Sequence, residues 1–151
     1  CLLAITKVSE VKLFEVNAIQ DTALRIYPLR QKVAINSAFD VYVYVENIEH
    51  LLGSQVDLQY DAAKLDYVSS TSGCGIDGSD LPDEGSNGMI TKLFCDLSGN
   101  YSTNVYLFQL TFIRRHADDT EINIMPTSRV GDQTGELYPV NILKSGRIVA
   151  P

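Results

Sequence analysis

Between residues 39 and 46 the chain reads Phe-Asp-Val-Tyr-Val-Tyr-Val-Glu. Phe39, Val41, Val43 and Val45 alternate with Asp40, Tyr42, Tyr44 and Glu46. A strand sends successive side chains to opposite faces, so this segment buries its apolar row only as extended chain against a core. The same period recurs at 54–60, "SQVDLQY", and at 104–115, "NVYLFQLTFIRR". In the latter, Tyr106, Phe108, Leu110 and Phe112 form one row, with Gln109 and Thr111 on the other face. Further strand-like runs lie at 23–28, 88–95, 121–125 and 145–150, separated by turn chemistry such as Gly53, "SGCG", "LSGN", "HADD" and "GDQTG". About seven to nine short strands without a convincing amphipathic helix predict an all-β sandwich. Its expected core is Phe39, Val41, Val43, Val45, Val56, Leu58, Tyr60, Leu65, Phe108, Leu110 and Phe112. Residues 69–88, rich in Ser, Gly and Asp, read as a long surface loop.

With 151 residues the chain is most simply one domain. Nineteen acidic against twelve basic side chains give a formal net charge of -7, which excludes the basic footprint that nucleic acid requires. No run approaches the roughly 18 apolar residues of a membrane span. Much of the acid lies in 77–84, "DGSDLPDE". Asp77, Asp80, Asp83 and Glu84 are hard oxygen donors and the chain's calcium candidates, but their spacing is not that of an EF-hand, and a solvated acidic loop is the plainer reading. No other cofactor is indicated. The only histidines are His50, in a turn, and His116, beside Arg114 and Arg115. Both read as surface residues, and with no nucleophile elbow, zinc-protease or nucleotide-loop motif the chain reads as non-catalytic.

Three cysteines are present, Cys1, Cys74 and Cys95. Cys74 sits in a glycine-rich loop and Cys95 ends a strand-like run, so a loop-to-strand disulfide between them is expected, in an oxidising compartment; the alternative is two reduced thiols. Residues 1–20 form an apolar extension ahead of the sandwich, 21–151. Within it Val11, Leu13 and Glu15 alternate with Lys12, Phe14 and Val16. Val11, Leu13, Phe14 and Val16 make a two-sided apolar strand that must pair with its own sheet or with a neighbour's. Cys1 is a candidate lipid anchor or intermolecular crosslink, or else simply the residue at which a piece of a longer chain starts. Tyr42 and Tyr44, about 7 Å apart on one strand face, are a candidate glycan platform or, alternatively, pack beneath another segment.

The series "YVYVENIEHLLGSQVDLQYDAAKLDYVSS" resembles cohesin modules, β-sandwich receptors of cellulosomal scaffolds. The resemblance rests on Asn47-Ile48, Leu52-Gly53, Tyr60-Asp61 and Leu65. It continues through "GMITKLFCDLSG", "VYLFQLTFIRR" and the closing "GDQTGELYPVNILKSGRIVAP", covering about 22 to 151. In this pattern Tyr60 closes the inward row, Asp61 starts a turn by bonding backbone amides, and Leu65 plugs the core.

The resemblance implies a two-sheet, jelly-roll-like sandwich of the cohesin type, here with an extra N-terminal strand. It also implies a non-catalytic interaction module, extracellular or at the cell surface, that receives a dockerin-type protein. Gln55, Asp96, Ser98 and Gly99 are the partner-binding positions carried over, and Asp57 is added because it shares the outward phase of Gln55. Gly53 stands where many cohesins carry a polar side chain. Two other functions stay open. One is a filament subunit that binds copies of itself by N-terminal donor-strand exchange. The other is a carbohydrate-binding module.

Overall fold

The computed structural model describes residues 21–73, 83–85, 88–131 and 137–151, with the chain path alone at 49–50, 83–85, 92–103 and 137–138. Eleven strands follow one another: β1 (Ala23–Tyr27), β2 (Arg30–Lys32), β3 (Ala38–Tyr60), β4 (Leu65–Ser72), β5 (Asp83–Gly85), β6 (Met89–Arg114), β7 (Thr120–Ile124), β8 (Arg129–Gly131), β9 (Leu137–Pro139), β10 (Ile142–Lys144) and β11 (Gly146–Val149). No helix occurs among the described residues.

The architecture follows from two strands of exceptional length. β3 has 23 residues and β6 has 26. Straight, each would exceed about 70 Å, several times the usual span of about 17–20 Å. They pair antiparallel from Ala38↔Ile113 to Gln59↔Met89, with register shifts between Val43/Tyr44, Val45/Ile48, Ile48/Leu51, Leu51/Gly53 and Val56/Leu58. Each bulge bends and twists the ribbon, and so the same pair of strands serves two layers. In the first, the order is β10, β1, the first half of β3, the second half of β6, and β4. In the second it is β2, β11, β7, the second half of β3, the first half of β6, and β5. β8 extends the second layer beside Gly53–Gln55 and carries β9.

The turns expected near Gly53 and at "LSGN" are therefore bulged stretches inside continuous strands. Asn47, at φ 54°, lies in the register shift between Val45 and Ile48 of β3. Asparagine tolerates this left-handed backbone better than most residues. Its N–H donates to Asn104 Oδ1 (3.3 Å) and its carbonyl accepts from Thr22 Oγ1 (3.0 Å).

The core is the inner row of both layers. Val41, Val43, Val45, Val56, Leu58, Leu110 and Phe112 are wholly buried, and Phe39, Leu65 and Phe108 nearly so. Tyr60 is only partly buried, packing edge-on against Phe112 at 5.2 Å between ring centroids. Tyr67 and Phe39 also contact Phe112, at 5.7 and 5.9 Å. The turn after β3 is as expected: Asp61 Oδ1 accepts from the Ala63 N–H (2.9 Å), and the Asp61 carbonyl accepts from Lys64 and Leu65 (3.0 Å each).

Two departures have physical causes. Ser69–Ser72 belong to β4 and Asp83–Gly85 form β5, where the sequence reads as one loop. Both pair on one side only, with β6, and ladder hydrogen bonds do not require apolar side chains. The second departure is Tyr106. Val43 pairs with Phe108 but Tyr44 with Tyr106, so Leu107 is the extra residue of a bulge. Leu107 and Phe108 are both buried, and Tyr106 leaves the inward row for the outer face of the first layer.

Arg114 is buried to 1% exposure at the end of β6. Its guanidinium donates to the carbonyls of Val33 (2.5 Å), His116 (2.8 Å), Ala117 (2.5 Å) and Asp118 (3.2 Å), so it organises the 115–119 loop from inside. A fixed fork of donors is suited to several carbonyls at once.

Wholly buried Leu110, opposite Val41 in the first-layer half of the β3–β6 ribbon, is expected to cost about 2–5 kcal/mol of stability on substitution by alanine. Equilibrium urea unfolding reads this directly, and a change below about half a kcal/mol would contradict the inward assignment.

Candidate functional site

Directly opposed residues of an antiparallel pair share a face, and the registers of the second layer therefore build an outer surface in rungs. Arg147 lies opposite Glu121. Asn123, Gln59 and Met89 form the next rung across β7, β3 and β6. Arg129, Gln55 and Phe94 form another, and Gly131, Gly53 and Asp96 the last. The face is broad and polar, with Gln59 exposed and Gln55 half-buried. Gln55 is thus where the sequence puts it. Asp96 stands opposite Gly53 in the ladder, and Ser98 and Gly99 follow along the path of β6.

Asp57 is in the outward phase but is buried to 6% exposure. Its carboxylate accepts from Thr127 Oγ1 (2.7 Å), its carbonyl from the Met125 N–H (2.8 Å), and its own N–H donates to Ser128 Oγ (3.0 Å). Asp57 thereby clamps the turn between β7 and β8 onto β3, and supports the face from beneath. Arg129 helps, donating to the carbonyls of Pro126 and Ser128 (2.9 Å each). Gln59 shares the phase of Gln55 and was legible by counting. Asn123 and Arg129 join the face only through strand pairing.

At one end of this surface Gln59, Tyr60, Asp61, Lys64, Asp119, Thr120, Glu121 and Asn123 line an open hollow of about 570 Å³. Three carboxylates and one ammonium give it a negative bias. Lys64 donates to the Asp119 carbonyl (3.3 Å), and the Asp119 carboxylate pairs with Arg147 (3.0 Å).

The opposite side of the sandwich carries a row of tyrosines. Tyr27 from β1, Tyr44 from β3 and Tyr106 from β6 lie 5.3 and 5.6 Å apart between centroids, and Tyr42 is 6.0 Å from Tyr106. The Tyr27 hydroxyl donates to Glu46 Oε1 (2.7 Å), while Arg25 Nε lies 3.3 Å from Glu46 Oε2. The bond to Glu46, aided by burial, raises the Tyr27 pKa. Burial, with the neighbouring Tyr42 and Tyr44, raises that of Tyr106. Tyr106 also depends on Gly73, since a β-carbon there would lie 2.3 Å from its ring.

Cys1, Val11, Leu13, Phe14, Val16, Cys74, Asp77 and Asp80 lie outside the described residues, and Cys95, Asp83 and Glu84 are described by chain path alone. The disulfide, the N-terminal strand and the calcium candidates fall there. Among the described residues no three of His, Cys, Asp or Glu gather as metal ligands. His116 is exposed, its Nδ1 accepting from the Asp118 N–H (3.2 Å).

The strand order and the doubly used ribbon define a jelly-roll-like β-sandwich. The cohesin domain family model matches residues 30–146, and the chain belongs to that family. No curated protein matches it in sequence. Among solved structures it is similar to the sixth cohesin of Acetivibrio cellulolyticus scaffoldin B in complex with the Cel5 dockerin, with TM-score 0.68, 20% identity, and coverage of 86% of this chain and 99% of that one. It is also similar to the cohesin module of a Clostridium perfringens family 33 glycoside hydrolase, with TM-score 0.70, 17% identity, and coverage of 87% and 100%. A third is the cohesin CaCohA2 of Clostridium acetobutylicum, with TM-score 0.72, 16% identity, and coverage of 87% and 91%.

Asp57→Ala removes the acceptor for Thr127 and loosens the 125–128 turn. The expected cost is about 1–3 kcal/mol, read by chemical denaturation; a variant as stable as wild type would show that the clamp carries no weight.

Proposed function

We propose that this chain is a non-catalytic, extracellular or cell-surface recognition module whose second-layer outer face receives a dockerin-type protein. The observation that carries the reading is the in-register polar face within the segment matched by the cohesin family. Gln55 and Gln59 supply side-chain amides held by paired backbone, and the Asp96–Gly99 stretch of β6 borders them. Asp57 acts here as the support of the face. The hollow beside Glu121 and Asp119 suits a basic side chain of the partner, because opposite charges steer encounter and set register. Gly53, opposite Asp96 in the last rung, leaves that end of the face low and open to a protruding partner group. An extracellular setting is also one in which a Cys74–Cys95 disulfide persists.

Isothermal titration against a panel of dockerins tests this. Gln59→Ala and Asp96→Ala should each weaken binding by roughly three- to thirtyfold, in the range of about 0.7–2 kcal/mol per interface contact. Glu121→Gln should mainly flatten the salt dependence of association. Unchanged affinity in all three variants would move the partner elsewhere.

We further propose that the module is complete without residues 1–20. β1, the first described strand, is already paired by β3 along its length and by β10 at Ala23–Arg25. Deleting residues 1–20 is expected to leave the melting temperature unchanged, and the full chain to stay monomeric by light scattering. Concentration-dependent growth of the full chain that vanishes on truncation would instead support donor-strand assembly.

A further inference from the structure

The tyrosine row on the first layer stands on the face turned away from the proposed protein-binding surface, and it frames a cavity of its own. Tyr27, Pro28, Tyr42, Tyr44, Glu46 and Asn104 line an open, mostly apolar hollow of about 400 Å³. That volume falls in the ordinary range of small-ligand sites, which join apolar walls to a few placed polar groups. Here the walls are the tyrosine rings, and the polar groups stand together at the Glu46–Asn104 end. All four tyrosines are half-buried, so each keeps ring surface open to solvent.

The charge balance restricts what can bind. Glu46 is matched by Arg25, which also lies 5.5 Å from the Tyr27 ring centroid. Asp40, on the same strand face, accepts from Thr111 Oγ1 (2.6 Å). The raised pKa values of Tyr27 and Tyr106 keep both hydroxyls neutral well above neutral pH. Glu46, the one charged residue that lines the hollow, is thus paired, and Arg25 already occupies the cation position beside Tyr27. This half of β3 is paired on both edges, and β1 is paired by β3 along its length and by β10 at Ala23–Arg25, so among the described residues little backbone here is free to pair with an extended peptide. What remains is a set of ring surfaces, phenolic hydroxyls, one carboxylate and one amide. Asn104 uses Oδ1 toward the Asn47 N–H, and among the described residues its amide nitrogen donates to none.

We propose that this hollow binds a neutral carbohydrate. A pyranose presents C–H groups on one face and hydroxyls at its edge; the former suit the negative face of an aromatic ring, the latter the carboxylate and amide at the rim. The sequence points only to Tyr42 and Tyr44. Tyr27 arrives through β1 pairing and Tyr106 through the bulge at Leu107. The resulting module would hold a protein on one face and a glycan on the other.

Because the chain has eight tyrosines and no tryptophan, tyrosine emission is not masked, and four of the eight emitters stand in this row. The full chain is titrated with neutral hexasaccharides of the cello-, xylo-, manno- and chito- series, following tyrosine emission and heat. Saturable binding of at least one series is expected, with at least tenfold loss in Tyr44→Ala and in the rim variant Asn104→Ala, and no change in Gln59→Ala on the opposite face. Circular dichroism confirms that each variant is folded. Absence of binding to every series overturns the proposal, as does binding that survives both substitutions. Selective capture of a proline-rich peptide in place of sugar would also overturn it.

Discussion

The pairing of β3 with β6 is the interaction on which everything else in this sandwich depends. Most two-layer folds join their sheets by loops. Here two strands run through both layers together, so the hydrogen-bond ladder that orders one layer also orders the other. Ordering so much chain costs on the order of 1–2 kcal/mol per residue in backbone entropy. The inner row offsets this with wholly buried side chains such as Val41, Val43, Val56, Leu58 and Leu110, worth about 1.5–3 kcal/mol each for the larger ones. The remaining strands are short: β1, β4, β5, β7 and β8 pair with this ribbon, and β2, β9, β10 and β11 attach through them.

The ribbon works because it is irregular. A regular ladder of this length would twist without folding over, and would serve one layer only. Bulges near Asn47, Leu51 and Leu107 bend it, and each also changes which residues point outward. The shift at Leu107 sends Tyr106 to join Tyr42 and Tyr44. The two outer faces thus acquire different chemistry, amides and charges on one and phenols on the other. This separation allows one small module two independent surfaces.

Buried polar groups then lock the loops. Arg114 replaces water for four carbonyls at one end, and Asp57 holds the β7–β8 turn at the other. Arg114 ties four carbonyls to one side chain, and Asp57 adds a carboxylate bond to Thr127 to the backbone bonds that it makes with Met125 and Ser128. A charge held in this way favours one loop conformation over many, because any other arrangement leaves it unsatisfied.

The alternation at Phe39–Glu46 and Phe108–Phe112 determined by itself that the chain is all-β, which rows face the core, and, with Tyr60-Asp61 and Leu65, the family. The period of a strand is local, so a few residues suffice to read it. The phase of Gln55 and Gln59 is legible for the same reason. Whether two runs are separate strands or one bent strand is not local. It depends on which partner continues across Asn47–Gly53, and turn-forming residues serve a bulge as readily as a hairpin. Asp57 looks like a surface acid until the 125–128 turn closes over it. Tyr106 looks like core until register shows that Leu107 is the extra residue. Only the tertiary structure decided these positions, because each depends on pairing between segments roughly 40 to 70 residues apart in the chain.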